Sequence, residues 1–273
     1  MPELPDLEVI CEILNRQVVG RRIVGVPLLR PIVVRLLEAD TSAEEYLVGR
    51  QIVSAHRHGK MVVLPLDPIG YVAINPMLVG KLRRCDAAGR VLKRDYLAID
   101  LDDGSQLRYN DTKAMGKVYL TDDLNPIPGY GDIGPDPLSP DLGLAAFRER
   151  LRHFRGEIKG ILTRGALVNG IGNAYADEIL FRAGIYPFRK RPSLNAVEEQ
   201  ALYDAMRDVL SESLSIVRER MGDRMDLKIR DFLAVHNKKG EPCPRCGSAI
   251  SEIKVRRRAT DFCRQCQPGS MFG

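Results

Sequence analysis

Residues 167–187 read LVNGIGNAYADEILFRAGIYP. Gly170 and Gly172 stand immediately before a run whose first helical turn starts near Asn173. Glycine lets a backbone approach a phosphate closely, and the exposed amides at a helix N-terminus attract it. The same glycines also suit a plain tight turn, so the meaning of the stretch depends on its surroundings.

Those surroundings are helical. LAAFRERLRHF and EIKGILTRG lie upstream, and a long helix is expected downstream from about 196 to 221, with Asn195 and Glu198 able to form a capping box. Farther upstream, residues 121–140 (TDDLNPIPGYGDIGPDPLSP) hold five prolines and three glycines, which suits neither helix nor sheet core and marks a linker. From about 22 to 120 the pattern is short β-rich runs, RRIVGV, GKMVVLPL, DYLAIDL and KVYL, with a hairpin turn at Asp103-Gly104. Strands at this spacing suggest a β-sandwich. The expected class is α+β. The domains are an N-terminal β-sandwich over 1–122, a linker over 123–140, a helical domain over 141–235 and a cysteine module over 236–273.

The 273 residues can bury a sizeable core, and 44% hydrophobic with 28% charged residues is ordinary for a globular chain. No apolar run reaches the length of a membrane span, and the start MPELPD lacks the profile of a signal peptide, so a cytoplasmic location and no membrane partner are expected. The net charge is +5, and residues 238–273 carry an equal excess by themselves, eight basic side chains against three acidic. A solvated tail is the usual reading of a basic run, but four cysteines here imply a folded module, and a phosphate-binding surface follows.

Cys243-Pro-Arg-Cys246, sixteen residues, then Cys263-Arg-Gln-Cys266 has the spacing of a four-thiolate zinc site. A cytosolic compartment disfavours two disulfides as the alternative. One structural zinc ion with no open ligand position would hold a β-hairpin whose crest is KVRRRAT. Cys11 and Cys85 fall outside the pattern and are expected to be buried thiols.

At the other end the chain begins MPELPDLEVI. Removal of Met1, which a small second residue permits, would expose the secondary amine of Pro2 one residue from the Glu3 carboxylate, a possible nucleophile beside a possible acid/base. Leu7, Ile10, Ile13 and Leu14 recur with helical spacing and would anchor this terminus.

With Pro2, Glu3, Leu4, Pro5 and Glu8 in place, Gly172, Asn173, Tyr175, Ala176, Asp177 and Glu178 matching a GNxYADE element, and GEPCPRCG…RATDFCRQCQ as the finger, the sequence resembles the formamidopyrimidine-DNA glycosylase and endonuclease VIII superfamily nearly end to end. The resemblance implies a helix-two-turns-helix element in the helical domain. It also implies a monomeric enzyme that removes oxidised bases from damaged double-stranded DNA and nicks the strand through an imine on Pro2, with Glu3 shuttling protons. Lys60 would contact phosphate and assist departure, Asn173 beside Gly172 would fix the phosphate at the lesion, Arg258 would clamp it and take a catalytic part in δ-elimination, and Lys159 would approach the same backbone unless it lies on a solvated face. A non-catalytic damaged-DNA-binding paralogue is the alternative, and the intact Pro2-Glu3 pair argues against it.

The family pattern is broken where the flipped nucleotide leaves a gap to be filled. HLxMxGK stands here as NPMLVGK, with Leu78 for the methionine and Asn75 for the histidine; DxRRFG stands as DTKAMG, with Lys113, Ala114 and Met115 in the last variable positions. Met77, Leu78, Lys113 and Met115 are therefore the candidates to fill the gap. The stretch before the finger is also short, RMGDRMDLKIRDFLAVHNKKGEPC, which resembles the endonuclease VIII side. It predicts good activity on formamidopyrimidines and saturated pyrimidines and weak activity on 8-oxoguanine opposite cytosine.

Overall fold

The computed structural model describes residues 1–255 and 258–269, apart from the side chains of Val255 and Arg258. Contacts divide these into two units, one of residues 1–131 with 216–229 and one of residues 132–215 with 230 onward.

The first unit opens with helix α1 (Leu4–Gln17), whose Leu4, Leu7, Val9, Ile10, Ile13 and Leu14 are buried. Two antiparallel-rich sheets follow. One has the order β1 (Ile23–Leu29), β8 (Asp95–Leu101), β9 (Ser105–Asn110), β7 (Lys81–Asp86). The other has the order β2 (Val34–Leu36), β10 (Lys117–Thr121), β6 (Gly70–Asn75), β5 (Met61–Asp67), β3 (Gln51–Ile52), with β4 (His56–His58) also on β5. A short helix, α2 (Ala43–Leu47), precedes β3. The hairpin expected at Asp103-Gly104 joins β8 to β9, and Gly104 takes the positive φ of 79° that its turn needs.

On β5 and β6, Val62, Leu64, Val72 and Ile74 are buried on one face of the sheet, while Met61, Val63 and Ala73 share a second cluster with Ile127. Leu124, Tyr130, Tyr71 and Tyr119 complete that cluster. The proline-rich segment is irregular as its composition demands, yet its first half is packed: Tyr130 stacks on His58 at 3.9 Å, and its carbonyl lies 2.7 Å from His58 Nε2. The end of the long helix α6 (Ala196–Met221) also belongs to this unit, where Arg218 grips the Glu12 carboxylate through two bonds of 2.8 and 2.7 Å.

The second unit holds α3 (Leu144–Arg152), α4 (Ile158–Thr163), α5 (Asn173–Ala183), most of α6 and the hairpin β11 (Ser251–Val255) with β12 (Arg258–Phe262). Asn195 caps α6 as its sequence predicts: Oδ1 accepts from the amides of Val197 and Glu198 at 2.9 and 3.0 Å, and Glu198 accepts from Asn195 N at 2.9 Å. Cys11 is buried, and desolvation pushes its thiol well up; Cys85 departs from expectation, being only half-buried on β7, the edge strand of its sheet. No helix among the described residues is long and apolar enough to cross a membrane.

Candidate active site and zinc centre

The N-terminus is held, not frayed. Glu3 is the N-cap of α1, and its amide donates to Asp6 Oδ2 at 2.8 Å. Glu3 and Asp6 are 3% and 2% exposed, so two carboxylates are drawn into the protein at the positive end of the helix, where they are stabilised. Pro2 is half-buried directly before them. Lys60, also half-buried, lies in the turn between β4 and β5. That hairpin is pinned to α1 twice: Arg57 Nε donates to Glu8 at 2.8 Å, and Asn15 bonds both the carbonyl and the amide of Ala55.

The gap-filling candidates sit on two loops that cross between the sheets. Residues 76–80 link β6 to β7, and residues 111–116 link β9 to β10. Asp111, fully buried, organises the second loop by accepting from the amides of Lys113, Met115 and Gly116 at 2.8, 3.0 and 2.7 Å. Leu78 and Met115 are 41% and 42% exposed, large apolar side chains left in water; Lys113 is exposed and Met77 half-buried. Met77 and Ala114 hold φ of 48° and 53°, a left-handed backbone that costs a side-chain-bearing residue roughly 1–2 kcal/mol. Burial, with the Asp111 charge, pushes the neighbouring Tyr109 phenol well up, so its hydroxyl stays neutral.

In the second unit, α4 and α5 are joined by two turns in which Gly165 and Gly170 take φ of 85° and 78°. Gly172 is the N-cap of α5, so the predicted helix start is met. The Asn173 amide does not point away on its own; Nδ2 donates to the Ala259 carbonyl on β12 at 2.9 Å.

Lys159, expected at the DNA backbone with a solvated face as the alternative, does not lie on a solvated face. It is 8% exposed, and its ammonium meets Asp177 at 2.6 Å, the Ala259 carbonyl at 2.9 Å and Thr260 Oγ1 at 2.8 Å. The ammonium is thus ion-paired with Asp177 and donates hydrogen bonds to the Ala259 carbonyl and the Thr260 hydroxyl. Lys159 therefore braces α5 and the finger strand. Asp177 also receives His236 Nδ1 at 2.9 Å, and His236 lies 3.5 Å from Asp261. Glu178 accepts three successive amides, Ala234, Val235 and His236, at 2.8 to 2.9 Å. Burial raises the pKa of both Asp177 and Glu178 against these stabilising partners. The motif that holds Asp177 and Glu178 gives them no role by itself, and no sequence signal singles out His236 or Asp261.

The four module cysteines form no disulfide: Cys243 and Cys266 sulfurs are 3.9 Å apart and those of Cys246 and Cys263 3.4 Å, against about 2.05 Å for a bond. Four thiolates at Zn–S bonds of about 2.3 Å would stand about 3.8 Å apart in a tetrahedron, so the donor set fits one zinc ion. Cys243 and Cys263 share a small core with Phe181 of α5, Val235 and Ile250, which seats the finger on the helix. The crest arginines Arg256 and Arg257 lie outside the described residues, as does the Arg258 side chain, although the Arg258 backbone pairs with Val255.

Comparison with known proteins agrees along the chain. Family models match as formamidopyrimidine-DNA glycosylase N-terminal domain over residues 1–118, its H2TH domain over 133–223, and a zinc finger found in FPG and IleRS over 240–269. The formamidopyrimidine-DNA glycosylases of Desulforamulus reducens and Symbiobacterium thermophilum are 34% and 36% identical, with 98% of this chain aligned to 99% and 90% of theirs. Among solved structures, MutM (Fpg) of Thermus thermophilus superposes with a TM-score of 0.85 at 29% identity. Lactococcus lactis Fpg in complex with abasic-site DNA gives 0.88 at 30% identity; each covers 98% of this chain and 100% of the other. The β-sheets ahead of a helical pair, the capped Pro2-Glu3 terminus and the four-thiolate finger thus occur together at full length, and the chain belongs to the formamidopyrimidine-DNA glycosylase family.

Proposed function

We propose that the protein is a base-excision-repair glycosylase whose nucleophile is the Pro2 nitrogen, freed by loss of Met1. The nitrogen attacks C1′ of the damaged nucleotide, the C1′–base bond breaks and the base leaves with a proton; ring opening gives a cationic iminium. That cation draws electrons from C2′, so a C2′ proton is lost and the 3′ phosphate departs by β-elimination; loss of a C4′ proton then expels the 5′ phosphate by δ-elimination. An α-amine titrates well below a lysine amine, which leaves a useful fraction unprotonated at neutral pH. Glu3 moves the protons at the sugar. The observation that carries this reading is Glu3 itself, a carboxylate buried at a helix start and fixed one residue from Pro2.

Lys60, on a hairpin pinned to α1, assists departure. In the second unit Gly172 and Asn173 present a helix N-terminus to backbone phosphate, with Arg258 as the clamp on the finger. Zinc supplies structure only, since its four thiolates leave no open position. Damaged DNA, bound by a monomer in the cytoplasm at the nucleoid, is the partner.

Borohydride reduction on an abasic duplex tests the reading, since only an imine former becomes covalently joined to DNA; no adduct would overturn it. Lesion choice is tested separately by single-turnover cleavage of matched duplexes. Formamidopyrimidines and saturated pyrimidines stack poorly and should be cut faster than 8-oxoguanine opposite cytosine. Equal rates would overturn that ranking.

A further inference from the structure

The two loops that carry the gap-filling candidates meet one buried hydroxyl. Asn75 at the end of β6 pairs with Lys117 at the start of β10, and Lys81 at the start of β7 pairs with Asn110 at the end of β9. Loops 76–80 and 111–116 therefore leave and return at the same strand ends, side by side. Tyr109, 1% exposed, ends between them: a Cβ added to either Gly80 or Gly116 would overlap its hydroxyl oxygen. Both glycine backbones are thus seated on the same oxygen. The two loops also share a feature of backbone strain, since Met77 and Ala114, each next to an exposed apolar tip, are left-handed.

We infer that Tyr109 is a positioning residue for double-stranded substrate, its hydroxyl setting the spacing of the two loops so that Leu78 and Met115 enter the base stack as one two-pronged wedge. The inference rests on the reading of Leu78 and Met115 as gap fillers. A buried Tyr109 touches no DNA and acts only through the loops. Asp111 supports it by fixing the amides of Lys113, Met115 and Gly116, and Asn75 Oδ1 fixes Met77 N at 3.1 Å. Tips already ordered lose little freedom on insertion, whereas independent tips would each have to be ordered at the moment of flipping.

The readout is the single-turnover rate on a formamidopyrimidine lesion in duplex divided by the rate on the same lesion in single-stranded DNA, where no stack has to be filled. Gly116→Ala is the informative variant: apart from the hydroxyl, its new methyl meets Asn75 O and Asp111 Oδ2 only at 3.0 Å, whereas at Gly80 the Pro76 carbonyl already stands at 2.6 Å. Gly116→Ala should lower the ratio by about tenfold or more, as displacements near an ångström do. Adding Tyr109→Phe removes the oxygen and should restore the ratio to within about threefold, the signature of two coupled sites. A double variant no better than Gly116→Ala alone overturns the inference.

Tyr109→Phe alone keeps the ring and serves if the alanine variant does not fold. With 2-aminopurine opposite the lesion it should slow the fluorescence rise of wedge insertion, and an unchanged rise also overturns the inference. Leu78→Ala and Met115→Ala separate the underlying reading. If neither moves the duplex ratio, the wedge itself is wrong; if both do while the tyrosine and glycine variants are silent, only the role of Tyr109 fails.

Discussion

The Lys159 ammonium lies 2.6 Å from the Asp177 carboxylate, with the two side chains 9% and 0% exposed. A buried pair of this kind is costly to break from one side, because the partner left behind is an unpaired charge. Asp177→Asn should therefore destabilise the protein by roughly 3–5 kcal/mol, whereas replacing both residues with apolar ones of similar volume, Lys159→Met with Asp177→Leu, should cost less than the two single changes add up to. Urea unfolding of the two single variants and the double variant checks the non-additivity. Because the Lys159 donors turn inward, Lys159→Met should leave the salt slope of DNA binding unchanged; a slope lower by about one would show a phosphate contact instead.

Pro2→Gly should bind abasic duplex yet lose most borohydride trapping and base excision, since the secondary amine is gone. Glu3→Gln should slow base excision more than strand nicking at a preformed abasic site, because departure of the base needs the stronger proton help. The bond from Glu3 N to Asp6 survives the change, and a thermal melt checks that the variant stays folded. Equal losses on both substrates would remove Glu3 from the excision step.

Chelation of zinc or Cys263→Ser should release the paired strands β11 and β12 and weaken DNA binding, as the metal supplies the folding energy of so small a module. Metal analysis with amide exchange of β11 and β12 follows both events. Arg258→Ala should keep the zinc and lower the salt slope of DNA binding by about one.

Asp103 gives a stability test in acid. Ser105 Oγ donates to it at 2.6 Å and Arg84 at 2.6 Å, and these bonds, that from Ser105 foremost, lower its pKa from 3.8 to about 2. A depressed acid stabilises the fold above its unfolded pKa and ceases to do so as pH falls through the folded one. Asp103→Asn should cost about 1 kcal/mol at neutral pH, allowing for solvent screening, and the gap from the parent should close between pH 4 and 2. Paired thermal melts across that window measure it.

What the sequence determined by itself was local. Covalent spacing places Cys243 beside Cys246 and Cys263 beside Cys266, the Asn195 side chain can reach only its own first turn, a turn at Asp103-Gly104 needs a glycine, and Pro2 precedes Glu3 whatever the fold. Each is settled within about a dozen residues, where propensity and geometry act directly. Tertiary structure decided what depends on desolvation and distant partners. By sequence Lys159 suits DNA and, nearly as well, solvent; α5 and β12, 18 and 100 residues away, supply Asp177 and Ala259 instead. His236 and Asp261 become part of that clasp only when the finger is seated on α5, and Leu124, Ile127 and Tyr130 turn a proline-rich linker into a packed cover for β5 and β6. The placement of Tyr109 against two glycines 29 residues before it and 7 after it follows from strand register, because pairing Asn75 with Lys117 and Lys81 with Asn110 brings the two loops together and no short-range signal encodes that pairing.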